Sequence, residues 1–233
     1  MSGRTEARPR AGIEHPVLLA VPNVSEGRDP ELIDALARAF ASQPGARLLD
    51  LHADADHHRS VFTLAGEQGR LAAAVLAGAR VALEHVDVMH GRLAHERGAH
   101  PHVGALDVAP IVYLRPEQRG AACAEALVLA HELGELGVPV LLYGELAAGR
   151  TRAQLRRGGV DALAARLASG ELAPDFGPAA LHASAGATLV AAREPLVAFN
   201  LELAAPADVQ DARRIAALIR EGGAEGLPGV RAI

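Results

Sequence analysis

The sequence predicts an α/β sandwich in which helices pack on one face of a sheet. Short runs rich in branched apolar residues alternate with longer segments whose apolar residues recur every three or four positions. The 233 residues are 50% hydrophobic, so the chain can bury a full core in one large or two small domains.

The first helix carries the clearest boundary signals. Asp29 is a favourable N-cap, because its carboxylate can accept hydrogen bonds from the first free backbone N–H groups, and Pro30 fits the first helical position. Apolar side chains then recur at helical spacing at Leu32, Ile33, Leu36, Ala39 and Phe40. Pro44 and Gly45 end the helix.

The remaining elements follow from the same two patterns. Strand-like runs cover residues 17–21, 46–51, 60–65, 106–114, 138–143, 186–192 and 196–203. Helical segments cover residues 67–86, 116–136, 151–170 and 206–220. The order β-α-β-β-α-β, with a further αβ unit, is the split βαβ order of ferredoxin-like sheets.

Charge and hydropathy limit the environment and the partners. The formal net charge is -5, so no general attraction to nucleic acid or to an anionic membrane is expected. No apolar stretch approaches the ~20 residues needed to cross a bilayer, and no signal-peptide core precedes residue 17. A cytoplasmic location is therefore expected, and residues 1–16, rich in arginine, proline and glycine, are predicted to form a disordered tail.

All 23 residues in the Lys+Arg count are arginines. The absence of lysine excludes a Walker A phosphate loop and a Schiff-base lysine. An anionic substrate must then be held by arginines, backbone N–H groups or histidines, and arginine binds carboxylates bidentately. Cys123 is the single cysteine, so it forms no intrachain disulfide, and we predict that it is a small core residue.

The eleven histidines raise the question of a metal site. Metal-ligating residue types occur together in one turn, at Asp54, Asp56, His57 and His58. They lack ligand spacing, and the alternative is that the two histidines make local polar contacts in the turn. His95 and His100 are five residues apart, whereas two ligands on one helical face need a spacing of four. We therefore expect no metal.

Residues 98–108, Gly-Ala-His-Pro-His-Val-Gly-Ala-Leu-Asp-Val, form the most informative stretch. His100 and His102 lie between glycines and a proline, just before a predicted strand. A histidine in such a loop is easily brought to a substrate, and its ordinary pKa of ~6.5 suits proton transfer near neutrality. The alternative is that both are solvated loop histidines.

This stretch resembles the active-site segment of the glutamate formiminotransferases, whose pattern is Gly-x-His-Pro-x-x-Gly-Ala-Leu-Asp. Further segments resemble the family in the same order, at residues 21–28, 50–63, 142–145, 173–178, 186–188 and 198–200. The resemblance covers about residues 17–233. It implies a transferase of histidine degradation that uses tetrahydrofolate as co-substrate and N-formimino-L-glutamate as donor.

The resemblance implies that His100 is the catalytic residue. In the reaction, a formimino group passes from the glutamate amine to N5 of tetrahydrofolate, and one histidine can serve as base and then as acid. Arg59 and Asp107 are predicted to bind the substrate, Arg59 by holding its carboxylates. Asp107 or Asp50 could also orient the imidazole, and whether Asp50, His52 or Asp54 supplies an acid found in the family stays open.

The resemblance also implies a folate-contacting segment. Its residues are Gly177, Pro178, Ala179, Ala180, Leu181, His182, Ala183, Ser184, Ala185 and Gly186. They are small and mostly apolar, which suits a flat ligand, and His182 and Ser184 can form hydrogen bonds. The alternative is a structural crossover loop.

The expected domains are residues 17–194, an N-terminal subdomain, and residues 195–233, the incomplete start of a C-terminal subdomain. The run 196–203 is predicted to be a buried strand, whose exposed edge would favour a homodimer. Two other functions stay open, namely a non-catalytic or regulatory folate-binding relative and a relative that transfers formyl groups.

Overall fold

The chain divides into two units in the computed structural model, Met1–Pro195 and Leu196–Ile233. The structure describes residues 15–90, 102–198 and 201–232. The described part of the first unit contains a seven-stranded sheet. Its strands are β1 (Val17–Ala20), β2 (Asn23–Val24), β3 (Ala46–Asp54), β4 (Arg59–Glu67), β5 (Leu106–Val112), β6 (Val140–Gly144) and β7 (Thr188–Arg193). The predicted mixed α/β class is confirmed.

The sheet has an antiparallel half and a parallel half. From one edge the order is β3, β4, then β1 and β2, then β5, β7 and β6. β1 and β2 both pair antiparallel with β4 and β5. β5, β7 and β6 run parallel to one another, so their carboxyl ends meet at one end of the sheet.

Five helices belong to this unit's described residues. They are α1 (Pro30–Phe40), α2 (Leu71–His85), α3 (Arg119–Glu135), α4 (Arg152–Arg156) and α5 (Gly159–Ala168), with a 3₁₀ turn at Pro116–Gln118. The predicted start of α1 is confirmed, because the Asp29 carboxylate accepts hydrogen bonds from the Glu31 and Leu32 backbone N–H groups at 3.0 and 3.1 Å. Pro30 occupies the first position, and Ile33, Leu36 and Phe40 are buried.

Helices α1, α2 and α3 cover one face of the sheet. α2 contacts both α1 and α3, and α3 contacts β5 and β7. Phe40 of α1 and Phe62 of β4 are fully buried, with ring centroids 4.6 Å apart. This face holds the larger of the two apolar cores.

The parallel half is covered on its second face as well. Leu141 of β6 and Leu189 of β7 point away from the first core and pack with Leu155 of α4 and Leu163 of α5. The expectation that helices pack on one sheet face is therefore wrong at this end of the sheet. The reason is that parallel strands are apolar on both faces and need cover on both.

The second unit contains one helix among its described residues, α6 (Val209–Ile219). Asp208 caps it, accepting from the backbone N–H groups of Gln210 and Asp211. Residues 196–198 and 201–203 form no strand, and Val197 is 87% exposed, so the predicted buried strand at 196–203 is wrong for the described residues. Apolar composition gives a segment strand propensity, but a strand forms only where another strand pairs with it.

No helix among the described residues is long and apolar enough to span a membrane.

Gly78 of α2 supports a first prediction about packing. A Cβ atom at Gly78 would lie 2.2 Å from Cε1 of Phe40, which is itself fully buried. Gly78→Ala should therefore overpack the core and lower the free energy of unfolding by about 1–3 kcal/mol. Chemical denaturation measures this change.

Gly120→Ala in α3 is the matched control, because the added methyl group would meet no atom within 4 Å and alanine favours a helix. It should cause no loss of stability. Equal behaviour of the two variants would contradict the packing argument.

Candidate active site

Asp107 is the second residue of β5 and is fully buried. Its Oδ1 accepts a hydrogen bond from the Val103 backbone N–H at 2.8 Å. Its Oδ2 accepts from the Arg59 guanidinium at 2.9 Å and also from the Arg156 guanidinium. Burial alone would raise the pKa of Asp107, but the charges of Arg156 and Arg59 hold that pKa below its usual range. The carboxylate is therefore ionised and shared by two cations.

Arg59 reaches this carboxylate from the first position of β4. Its Nε donates to Oδ1 of Asn23 at 2.9 Å, and Asn23 in β2 pairs with Val61 of the same β4. Asn23 is in turn held by a hydrogen bond from its Nδ2 to the Val21 carbonyl at 2.7 Å. The motif at 21–28 therefore fixes the direction of Arg59, which is only 9% exposed.

The turn before Arg59 packs against the same motif. The His58 ring accepts a hydrogen bond from the Gly27 backbone N–H at 3.0 Å on Nδ1, and the Ser60 hydroxyl donates to the Glu26 carbonyl at 2.5 Å. A Cβ atom at Gly27 would lie 2.2 Å from the Asp54 carbonyl oxygen, so only glycine fits this approach. The glycine of Val-Pro-Asn-Val-Ser-Glu-Gly thus brings the motif and the turn together.

Arg156 is a member of this cluster that the sequence patterns do not reveal. It is the last residue of α4 and is 7% exposed. Arg166 of α5 fixes the end of α4, since its guanidinium donates to the carbonyls of Gln154 and Leu155 at 3.2 and 2.5 Å. The arginine-rich composition of 151–170 is visible in the sequence, but nothing in it distinguishes Arg156 from its exposed neighbours.

Three sequence motifs meet beside Asp107. The Ser25 hydroxyl donates to the Gly104 carbonyl at 2.7 Å, and the Ala105 N–H donates to the Ala185 carbonyl at 2.9 Å. A Cβ atom at Gly104 would lie 1.9 Å from the Ala187 carbonyl oxygen, so the close approach requires glycine. The segments at 21–28, 102–108 and 182–188 are therefore packed into one structure.

His100 lies outside the described residues. The described end of its loop begins at His102, which is 9% exposed, and Val103 is tied to the Asp107 carboxylate. The Ala187 N–H also donates to the Val103 carbonyl at 3.0 Å. Val103, three residues after His100 in the sequence, is thus anchored directly beside the Arg59 and Arg156 cluster.

The predicted folate segment separates into two parts. Residues 177–180 are exposed, whereas Ala185 and Gly186 are buried against the 102–105 loop. His182 and Gly186 exchange backbone hydrogen bonds at 2.9 and 3.1 Å, which close a tight hairpin. The His182 Nδ1 accepts from the Ala185 N–H at 3.1 Å, so in the neutral ring the proton is on Nε2.

The acidic candidates of β3 occupy other surroundings. The Asp54 carboxylate accepts from the backbone N–H groups of Asp56 and His57, both at 2.9 Å, and contacts the His57 ring at 2.8 Å. The backbone hydrogen bond from His57 is the main reason that the pKa of Asp54 is lowered. Asp50 and His52 are exposed. Among the described acids proposed for the site, Asp107 is the one that joins the arginine cluster.

No group of three or more His, Cys, Asp or Glu side chains that could hold a metal ion occurs within residues 15–90, 102–198 and 201–232. His95 and His100 lie outside these ranges. The expected absence of a metal stays a prediction.

Comparisons with known proteins agree on one family. Residues 17–193 match the family described as the formiminotransferase domain, N-terminal subdomain. The formimidoyltransferase-cyclodeaminase of Sus scrofa is 41% identical over 211 residues, covering 87% of this chain and 37% of that protein. The corresponding protein of Gallus gallus is 40% identical with the same coverage. The chain thus spans little more than a third of these relatives.

A shorter relative is similar over the same length of sequence. The glutamate formimidoyltransferase of Streptococcus pyogenes serotype M1 is 35% identical over 211 residues, which cover 89% of this chain and 69% of that protein. The family match covers most of the chain, including the residues that hold Asp107. The chain belongs to the formiminotransferase family.

Proposed function

We propose that this chain is the folate-dependent transferase part of a glutamate formimidoyltransferase. It moves the formimino group from N-formimino-L-glutamate to N5 of tetrahydrofolate, in histidine degradation in the cytoplasm. One observation carries the proposal: two buried arginines share the carboxylate of Asp107, which also accepts from the backbone N–H of Val103, three residues after His100 in the sequence. The names of the relatives support the same reaction class.

The cluster is suited to an anionic substrate. Arg59 and Arg156 place two buried guanidinium groups against the carboxylate of Asp107. Arginine binds carboxylates bidentately, and N-formimino-L-glutamate supplies carboxylates. We assign Arg59 the binding of a substrate carboxylate and Asp107 the positioning of both guanidinium groups.

His100 is assigned the proton transfers. The N5 lone pair of tetrahydrofolate attacks the formimino carbon and forms a tetrahedral carbon, and His100 takes the proton that N5 loses. The bond to the glutamate nitrogen then breaks, and His100 returns the proton to the departing amine. One imidazole can perform both steps, as base and then as acid.

Folate is assigned to the 177–186 segment. The His182 Nε2 proton and the half-buried Ser184 hydroxyl offer polar contacts next to small apolar residues, which suits a flat ligand with a polar edge. This assignment, like the absence of a metal, is a proposal.

The decisive experiment substitutes His100. His100→Ala should reduce formimino transfer by about 10²–10⁴-fold without loss of folding, because general acid–base catalysis is removed. Transfer is followed by the absorbance of the folate product, and circular dichroism reports the fold.

His90→Ala is the control, since it removes an exposed histidine to which the proposed reaction gives no role. A formyl donor is assayed in parallel. Undiminished formimino transfer by His100→Ala would contradict the assignment of the proton transfers to His100. Folate binding by an unsubstituted chain that transfers neither group would favour the non-catalytic relative.

Asp107→Asn tests the positioning role. The neutral amide would leave two guanidinium groups facing each other in a buried site, so the free energy of unfolding should fall by about 3–5 kcal/mol. The pKa of Asp107 is lowered from its ordinary value of 3.8 in the folded state. Its contribution is therefore present above that value and is lost as the pH falls through the folded pKa.

Urea denaturation between about pH 5 and pH 7 should give a constant difference between Asp107→Asn and the parent chain, and the difference should shrink in stronger acid. Asp34→Asn on the exposed face of α1 is the control. A difference below about 1 kcal/mol at pH 7 would show that Asp107 does not hold the cluster.

We further propose that the chain forms a homodimer through residues 196–203. Leu196, Val197 and Leu201 are 57%, 87% and 73% exposed, and exposed large apolar side chains close together in sequence favour association with another chain.

Light scattering should therefore give a dimeric mass for the parent chain. Val197→Asp should shift the mass toward that of the monomer, whereas Leu227→Asp, at an exposed leucine elsewhere in the second unit, should not. A monomeric parent chain at all concentrations would contradict the proposed dimer.

A further inference from the structure

A second group of arginines surrounds the carboxyl ends of β6 and β7. Arg193 is the last residue of β7, and Tyr143 of β6 lies on the same face, since it is in register with Ala191. α4 covers this face and carries Arg152 and Arg156 at its two ends. In sheets with parallel strands, ligands bind outside the carboxyl ends of the strands.

The four side chains act on one another electrostatically. Burial raises the pKa of the Tyr143 hydroxyl, and the charges of Arg152, Arg193 and Arg156 each oppose that rise. Burial lowers the pKa of Arg156. The Asp107 carboxylate opposes this change, and the positive charges of Arg59 and Arg152 add to it. Arg193 likewise has its pKa lowered by burial and by Arg152. These cations are therefore close enough to destabilise one another.

Among the described residues, the carboxylate that contacts Arg156 is that of Asp107. Arg59 contacts the same carboxylate. Arg152 and Arg193 add two further positive charges to the same surroundings. Removing charge of one sign from water without compensation is costly, so an arrangement of this kind favours a bound anion.

One hydrogen-bond donor of Arg156 has no partner among the described residues. The Nε of Arg156 is buried and makes no hydrogen bond within residues 15–90, 102–198 and 201–232. Buried polar groups are nearly always hydrogen-bonded, and an unpaired one indicates a missing ligand, ion or water. Nη2, which lies on the same edge of the guanidinium as Nε, already donates to Asp107, so the Nε–H is the donor left for a further acceptor.

We propose that Arg156, together with Arg152, Arg193 and the Tyr143 hydroxyl, binds a glutamyl carboxylate. This inference rests on the proposed function, in which both substrates carry glutamyl groups. The donor is a glutamate derivative, and folate ends in a glutamate tail. Arg59 then binds one carboxylate and Arg156 a second, with Asp107 holding the two guanidinium groups at a fixed separation.

Ligand binding measured by calorimetry tests the site without requiring catalysis. The probes are L-glutamate, tetrahydrofolate, and tetrahydropteroate, which lacks the glutamate tail. Arg156→Gln and Arg152→Gln should each weaken the binding of at least one glutamyl probe by roughly 10-fold or more, because each removes a charge-assisted hydrogen bond. Arg152 is exposed, so Arg152→Gln keeps the test valid where Arg156→Gln lowers stability.

Arg157→Gln is the matched control, since it removes the same charge from the adjacent, exposed position. It should leave all three affinities within about twofold of the parent chain. Arg156→Lys keeps the charge but lacks the Nε edge, and should give an intermediate loss.

The three probes distinguish the source of the carboxylate. Weakened L-glutamate binding with an unchanged preference for tetrahydrofolate over tetrahydropteroate assigns the site to the donor. Loss of that preference assigns it to the folate tail. Unchanged binding of every probe in both Arg152→Gln and Arg156→Gln overturns the inference, as does a parent chain that binds no glutamyl probe.

The inference and the proposed function fail in different ways. If the chain binds L-glutamate through Arg156 but transfers no one-carbon group, the carboxylate site is supported and the proposed reaction is contradicted. If the parent chain transfers the formimino group and both Arg152→Gln and Arg156→Gln bind the glutamyl probes normally, the proposed reaction is supported and the carboxylate site is contradicted.

Discussion

The ionised carboxylate of Asp107 is the contact on which the candidate site depends. Its partners come from three parts of the chain, because Arg59 opens β4, Val103 lies just before β5 and Arg156 ends α4. A buried carboxylate is stable only when its charge and its lone pairs are satisfied. The need to satisfy Asp107 therefore fixes the relative positions of a strand, a loop and a helix.

The parallel half of the sheet explains why an arginine can be buried there. β5, β7 and β6 are covered on both faces, and α4 and α5 form the second cover. A short helix packed through Leu155 places the next residue, Arg156, at the boundary of the apolar core. The guanidinium contacts Asp107, and the whole Arg156 side chain is buried.

Glycines allow the three motifs to approach so closely. Gly27 passes against the Asp54 carbonyl, and Gly104 passes against the Ala187 carbonyl, at distances that leave no room for a side chain. Gly186 adopts a φ of +70°, which returns the chain in the tight hairpin from His182. The glycines of the motifs thus serve the packing of backbone on backbone, and the polar residues beside them supply the chemistry.

The sequence by itself determined the parts of the structure that depend on local interactions. The N-cap of α1, its buried face and the alternation of strands and helices are short-range patterns, and the structure shows them where they were predicted. The motifs around Arg59 and Asp107 were also visible, because their composition of glycine, proline and charged residues is distinctive. The structure brings those two residues into direct contact.

Only the tertiary structure decided the rest. Arg156 lies 49 residues from Asp107 along the chain, and one arginine among 23 carries no local sign of which carboxylate it will meet. The cover on the second sheet face and the exposure of residues 196–198 likewise depend on which surfaces meet in space. Local propensity is set by neighbours in sequence, whereas an ion pair or a strand requires a partner that only the folded chain can supply.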